Sequence, residues 1–186
     1  MRSRASGGAK IRSGQDVLVN GATGAIGSAS VQLCKHLGAT VTAVCGPEHL
    51  ELVRSLGADR VIDYTAEDFT TDAHRYDAVH DAVGKSSFLR CRRLLKPGGV
   101  YVSSDGGPLN QNFLLLPVTP LFRGRTVRFH IPRPDQQMLQ YFRELIESGA
   151  FRPLIDRRYR LEEIVEAYRY VESGRKLGNV VLTVQV

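Results

Sequence analysis

No apolar run in this chain approaches the roughly 20 residues that a membrane-spanning helix requires. The longest candidate, Phe113 to Phe122, is broken by Pro117 and Pro120. Cysteine is sparse. Cys34, Cys45 and Cys91 are too few and too far apart for a disulfide framework or a zinc site. Reduced thiols and a cytoplasmic location are therefore expected. No acidic residue precedes Asp16, and the basic N-terminus has no apolar stretch of the kind a secretory signal carries. Strand material begins by Asp16 and leaves little room for a mitochondrial presequence. Internal repeats and low-complexity segments are also missing.

What is present is the make-up of a globular chain. Its 186 residues are 42% hydrophobic and 24% charged, enough for one domain and part of another, and this excludes disorder as the main state. The formal net charge of +6 favours acidic ligands such as phosphates. The basic residues are scattered and form no stripe with aromatics, so nucleic acid is not the expected partner.

The pattern along the chain alternates between strand and helix. Asp16-Val-Leu-Val-Asn20 reads as a buried strand, and a helical pattern follows the turn at residues 21–27. Thr40-Val-Thr-Ala-Val44 is a second strand, and Pro47 to Leu56 a helix closed by Gly57. Arg60 to Asp63, Tyr76 to His80 and Val100 to Ser103 are the third to fifth strands. A helix is predicted from Ser86 to Leu95, ended by Lys96-Pro-Gly-Gly99. Thr126 to Ile131 is the sixth strand. Such alternation means βαβ units and a mostly parallel sheet, here a six-stranded doubly wound α/β fold.

The last part reads differently. Asp135 is expected to cap a helix over residues 136–148 with Met138, Leu139, Phe142, Leu145 and Ile146 inward. Residues 151–159 read as extended. A second amphipathic helix over 161–173 places Ile164, Val165, Tyr168 and Val171 inward. A terminal strand, residues 178–186, is expected to lack a partner within the chain.

The segment that carries chemistry is Gly21-Ala-Thr-Gly-Ala-Ile-Gly27, between a strand and a helix. A dinucleotide pyrophosphate sits on the N-terminus of the helix after the first strand. It needs a tight turn, a residue without Cβ where backbone meets phosphate, and a small residue where helix packs on strand. The spacing G-x-G-x-x-G is met as Ala22-x-Gly24-x-x-Gly27, with Gly21 one position earlier. Gly24, Ala25 and Ile26 are the expected backbone donors to phosphate, and Gly27 the packing glycine. The other reading is a tight turn with no ligand.

Cofactor preference is set at the end of the second strand, where an acid grips the ribose of NAD and a basic neighbour tolerates the extra phosphate of NADP. Here Cys45, Gly46 and His49 occupy that ground, with no acid at the strand end itself, and NADP(H) is expected. Glu48 runs against this, although an acid in a helix's first turn also has a purely electrostatic reason. A histidine at such a place is more often a solvated helix residue than a ligand, and that is the other reading of His49.

Several stretches together carry a resemblance. Residues 14–27, Val31-Gln-Leu-Cys-Lys-His-Leu-Gly-Ala39, Leu56-Gly-Ala-Asp-Arg-Val-Ile-Asp-Tyr64 and Leu95-Lys-Pro-Gly-Gly99 resemble the medium-chain dehydrogenase/reductase superfamily. They look most like its zinc-independent quinone oxidoreductase-like branch. The resemblance implies a Rossmann cofactor domain beside a GroES-like catalytic domain. Only about 15 residues precede the first strand here, so most of that catalytic domain is not in this chain. The expected division is an N-terminal extension over 1–13, the dinucleotide-binding domain over 14–149, and over 150–186 a segment that belongs with the catalytic domain.

The resemblance also implies site residues. Tyr64 is similar to a tyrosine beside the adenosine ribose; its other reading is an aromatic packed at the sheet boundary. Asp81, Ala82, Val83 and Gly84 resemble the loop near ribose and pyrophosphate. Ser103 and Ser104 stand at the sheet's carboxyl edge. Asn179 resembles a position near the cofactor, or is an ordinary strand-entry residue. No metal is expected. His80, Asp81 and Asp105 have acid–base chemistry, but no catalytic residue is named. The function implied is NADPH-dependent hydride transfer to a quinone or an activated C=C or C=O bond, in a homodimer formed through the Thr126–Ile131 edge. The rival is a dinucleotide-binding module without turnover, such as a sensor or assembly subunit. A third reading, a basic anion-binding protein, would require tight nucleic-acid binding with a steep salt dependence.

Overall fold

The computed structural model describes residues 10–105, 110–115, 124–129 and 135–184. Six parallel strands form the main sheet: β1 (Asp16–Asn20), β2 (Thr40–Cys45), β3 (Arg60–Asp63), β4 (Tyr76–Asp81), β5 (Leu95–Ser103) and β6 (Thr126–Phe129). Their order is β3-β2-β1-β4-β5-β6, so the chain winds one way from β1 to β3 and the other way from β4 to β6. The doubly wound fold expected from the alternation is the one observed. His130 and Ile131, the end of the predicted sixth strand, lie outside the described residues.

Burial explains why these strands form. Val17 and Val19 enter one core cluster with Val41, Ala43, Val31 and Cys34, while Leu18 enters another with Ile62, Val79, Phe88 and Tyr101. Successive side chains of one strand thus fill opposite faces, and both faces are covered. Each such aliphatic side chain contributes about 1.5–3 kcal/mol.

Helix α1 (Ala25–His36) lays Gly27, Val31 and Cys34 on the sheet and stops at Gly38, whose φ of +79° suits glycine. After β2 the predicted helix divides into a 3₁₀ turn, Pro47–His49, and α2 (Leu50–Ser55). The helix predicted over 86–95 is far shorter. Only α3 (Phe88–Cys91) is helical, capped by Ser87, and β5 already begins at Leu95. The Lys96-Pro-Gly-Gly99 stretch is absorbed by a register irregularity against β4, between Tyr76 and Ala78. A further short helix, α4, spans Gln111–Leu115.

Helix α5 (Gln136–Glu147) starts at Asp135, whose side chain accepts from the Met138 amide at 2.7 Å. Beyond it β7 (Ile155–Arg160), α6 (Ile164–Glu172) and β8 (Asn179–Thr183) form a small parallel βαβ unit. The terminal strand therefore has a partner within the chain, contrary to expectation, because the extended stretch after Pro153 is itself a strand. The inward faces expected for the two helices are also corrected. Leu145 is buried, but Leu139 is 64% exposed, and Ile164, Val165, Tyr168 and Val171 are exposed along α6. Their apolar spacing is helical, yet nothing in the described chain covers it. Among the described residues no helix is long and apolar enough to cross a membrane.

Candidate functional site

The reversal of winding falls between β1 and β4, and in sheets of this kind the ligand crevice lies there, outside the carboxyl ends of the strands. The register aligns that edge: Asn20 pairs with Val44 and Asp81, Cys45 with Asp63, and Asp81 with Ser103. The residues expected at the site follow directly. Tyr64 follows β3. Cys45, Gly46 and His49 stand at the end of β2. The glycine turn follows β1. Ala82, Val83 and Gly84 follow β4, and Ser103 and Ser104 end β5. One edge brings together residues from five separate stretches of sequence.

The turn has the shape that the spacing implied. Gly21 takes φ +80°, and a methyl there would lie 1.8 Å from Cγ2 of Val83, so the β1 and β4 loops touch where a side chain is missing. At Gly27 a methyl would lie 2.0 Å from the Gly21 carbonyl oxygen and 2.9 Å from Cα of Ala22, so helix meets strand backbone to backbone. Gly24 is different. A methyl there would meet only the Gly21 oxygen, at 3.6 Å. Gly24 is also the N-cap of α1, with no side chain capping it and no acid in the first turn. The positive end of a three-turn helix thus opens on unfilled space, with the Ala25 and Ile26 amides in its first turn.

Three large side chains around the turn are exposed. Ile26 is 52%, Tyr64 60% and Val83 41% exposed. Three of the expected residues point inward instead. Cys45 packs in the core, and burial, with the charges of Asp63 and Glu48, pushes its thiol up to about 11. The Ser103 hydroxyl accepts from the Asp105 amide at 3.3 Å and from Asn112 Nδ2 at 3.5 Å.

Asp81 is the third. Its carboxylate is fully buried and accepts from Asn20 Nδ2 (3.0 Å), the Gly84 amide (3.1 Å), the Ser86 amide (2.9 Å) and the Tyr101 hydroxyl (2.9 Å). Burial, with Asp81 beside it, raises the Tyr101 hydroxyl far above the usual phenol range. This carboxylate holds the loop of residues 81–86; it does not face the crevice. Any contact of Cys45, Asp81 or Ser103 with a ligand therefore falls to main chain. Of the other acid–base candidates, His80 Nδ1 stands 2.7 Å from the Ser30 hydroxyl, and Asp105 is exposed.

Two features were not anticipated from sequence. The amide of Gly178 donates to the Thr23 carbonyl at 2.7 Å, and Gly178 forms an isolated parallel bridge with Gly24. This brings Asn179 to the turn, its side chain donating to the Leu154 carbonyl at 3.0 Å. Asn20 is the second: a polar residue closing an apolar strand was the available signal. Among the described residues no group of three or more His, Cys, Asp or Glu is gathered to hold a metal ion.

A family model described as zinc-binding dehydrogenase matches residues 56–182. The 2-methylene-furan-3-one reductase of Solanum lycopersicum is 34% identical over 174 residues, 91% of this chain and 40% of that protein. The NADPH-dependent alkenal/one oxidoreductase, chloroplastic, of Arabidopsis thaliana is 33% identical over 91% of this chain and 40% of its own length. Among solved structures, the quinone oxidoreductase from Coxiella burnetii superposes with a TM-score of 0.84 at 28% identity, covering 95% of this chain and 55% of that one. The chain spans about half the length, or less, of the proteins it matches.

Proposed function

Because this chain belongs to the medium-chain dehydrogenase/reductase superfamily, in its quinone oxidoreductase-like branch, we propose that it is the cofactor-binding part of an NADP(H)-dependent reductase acting on a quinone or an activated C=C or C=O bond. The observation that carries the reading is the uncapped N-terminus of α1 at Gly24, at the carboxyl edge of the sheet where the winding reverses between β1 and β4. The bare Cα of Gly24 leaves room for a pyrophosphate, and the helix offers amides and a positive end. The Ala25 and Ile26 amides would hold the pyrophosphate beside the bare Cα of Gly24, and Gly27 lets the helix approach. The Gly24 amide, expected as a donor, instead closes on the Gly21 carbonyl at 3.1 Å. Gly46, His49 and Tyr64, with the main chain of Cys45, would line the adenosine ribose. Residues 81–84, Ser103, Ser104 and Asn179 would lie along the rest of the dinucleotide.

When bound, the nicotinamide supplies the hydride. The protein's share is to bind and orient it and to keep water from the reacting face. The preference for NADP(H) is supported by the net charge, by the lack of an acid within the end of β2 and by the relative named as NADPH-dependent. The exposed apolar face of α6 supports a catalytic domain docked against that helix. The three buried thiols suit a reducing compartment such as the cytoplasm.

Calorimetric titration with NADPH and NADH tests the reading, followed by assay with a quinone and an enone. Binding with little turnover by the 186-residue chain alone is expected. A failure of both cofactors to bind would sink the proposal. Binding without turnover, even when a GroES-like domain is supplied, would favour the module that only senses or assembles.

A further inference from the structure

Helices α1, α2 and α5 end beside one another, away from the glycine turn. Lys35 and His36 of α1, Ser55 and Leu56 at the end of α2, and Arg152 beyond α5 line a groove of about 370 Å³. That volume lies in the range of small-ligand pockets. Helix α1 has 12 residues, so its two ends are about 18 Å apart. The groove is therefore separate from any phosphate held at Gly24.

Three helix C-termini would make such a place negative. Here their last carbonyls are already used. In α1 the amides of Leu37, Gly38 and Ala39 donate to the carbonyls of Leu33, Lys35 and Cys34, and the ends of α2 and α5 close in the same way. What remains is the charge of the side chains. Three basic residues line the groove and no acidic residue does.

The three are held differently. Lys35 Nζ donates to both oxygens of Asp59, at 2.7 and 2.9 Å, and an ammonium has a third proton to give. His36 stands edge-on to Tyr141, with ring centroids 6.4 Å apart. Arg152 is fixed by its main chain: its amide donates to Gln32 Oε1 at 2.9 Å, and its carbonyl accepts from Gln32 Nε2 at 3.0 Å. This clamp ties Arg152 to α1 and leaves the guanidinium over Gly149, with one nitrogen 3.7 Å from where a methyl on Gly149 would stand. Among the described residues that guanidinium has no ion pair.

We propose that this groove binds a small phosphate ester, at a site distinct from the dinucleotide crevice. The guanidinium, the ammonium and the imidazole N–H reach it from α1 and from the chain beyond α5. A phosphate presents three terminal oxygens to these donors, where a carboxylate has two. Ser55 and Leu56 give the organic part of the ester one polar and one apolar neighbour. Basic side chains that served only the helix ends would bind no anion selectively. The inference does not depend on the cofactor reading.

The test is a titration of the whole chain with glycerol 3-phosphate and with acetate at constant ionic strength, followed by amide NMR shifts. The amides of residues 35–36, 55–57 and 149–152 are expected to shift and saturate with the phosphate ester, in the wild type and in Gly24→Val alike, and to stay in place with acetate. Arg152→Gln and His36→Gln should each weaken that binding, the first about tenfold or more, with the rest of the spectrum unchanged. Saturation by acetate at the same concentration would overturn the phosphate class. Loss of the shifts in Gly24→Val would show that they report the glycine turn. No saturation in the wild type, or unaltered affinity in both Arg152→Gln and His36→Gln, would overturn the site.

Discussion

Gly24 and Gly178, 154 positions apart, form a parallel bridge, and the Gly178 amide closes on the Thr23 carbonyl at 2.7 Å. The start of β8 is therefore fastened to the turn that begins α1. Gly178 sits at φ +57°, and a methyl there would lie 2.2 Å from the Leu154 carbonyl oxygen. We expect Gly178→Ala to break this fastening. Amide exchange should accelerate across β8 and residues 21–27 while β1 and β2 stay protected. Unchanged exchange in both segments would refute it.

Gly24→Val separates binding from folding. The side chain has room, since the sole neighbour of its Cβ is 3.6 Å away. A valine N-cap costs only about 1 kcal/mol. NADPH affinity should nonetheless fall about a hundredfold or more, roughly 2.7 kcal/mol. A cooperative melt with wild-type affinity would show that phosphate does not sit at Gly24.

Gly27→Ala should do the opposite. Alanine improves an exposed helix by about 1 kcal/mol over glycine. Here its methyl would press on the backbone of residues 21 and 22 at 2.0–2.9 Å, which cannot rotate away. Overpacking costs about 1–3 kcal/mol or more, so destabilisation wins. Chemical denaturation measures the sign, and a more stable variant would contradict the close helix–strand contact.

Cys34, Cys45 and Cys91 have thiols pushed up to about 11, first by burial in each case. An unfolded thiol titrates near about 8.5. The folded state thus keeps protons that the unfolded state releases, and this contribution to stability is complete below that lower value and lost as pH rises through about 11. At pH 8 a thiol reagent should label the native chain slowly and the denatured chain at all three cysteines. Rapid labelling of the native chain would show that a thiol is open to solvent.

Strand β6 is the outer strand of the main sheet, with β5 as its neighbour among the described residues. An edge of this kind invites pairing with a second copy. Light scattering at micromolar concentration should give the mass of a dimer, and a monodisperse monomer would refute the pairing.

The sequence carried the first half of the molecule because there local and global signals agree. Val17 to Val19 must be buried on both faces, and Gly27 must lack a side chain where helix meets strand. It carried the second half poorly. Residues 155–160 alternate Ile, Asp, Arg, Arg, Tyr and Arg after a proline, which hides a strand whose partner is β8. The apolar stripe of α6 announced a helix but not which way it faces, since periodicity fixes a face and not its cover. At the site, residue type and spacing located the edge. They did not separate Asp81, whose carboxylate turns inward, from residues that face the crevice, nor show that Glu48 folds back over Gly46. Both depend on a rotamer that packing chooses.

The buried carboxylate of Asp81 has a thermodynamic consequence for whatever enters the crevice. Residues 81–86 acquire their shape when the protein folds, around a side chain that neutral donors surround. Fixing one loop residue costs on the order of 1–2 kcal/mol of backbone entropy, and here that loss belongs to folding, so an arriving ligand meets a wall already set. Association should then be fast and show little ordering entropy, and Tyr101→Phe, which removes the 2.9 Å donor, should slow it as the loop regains freedom.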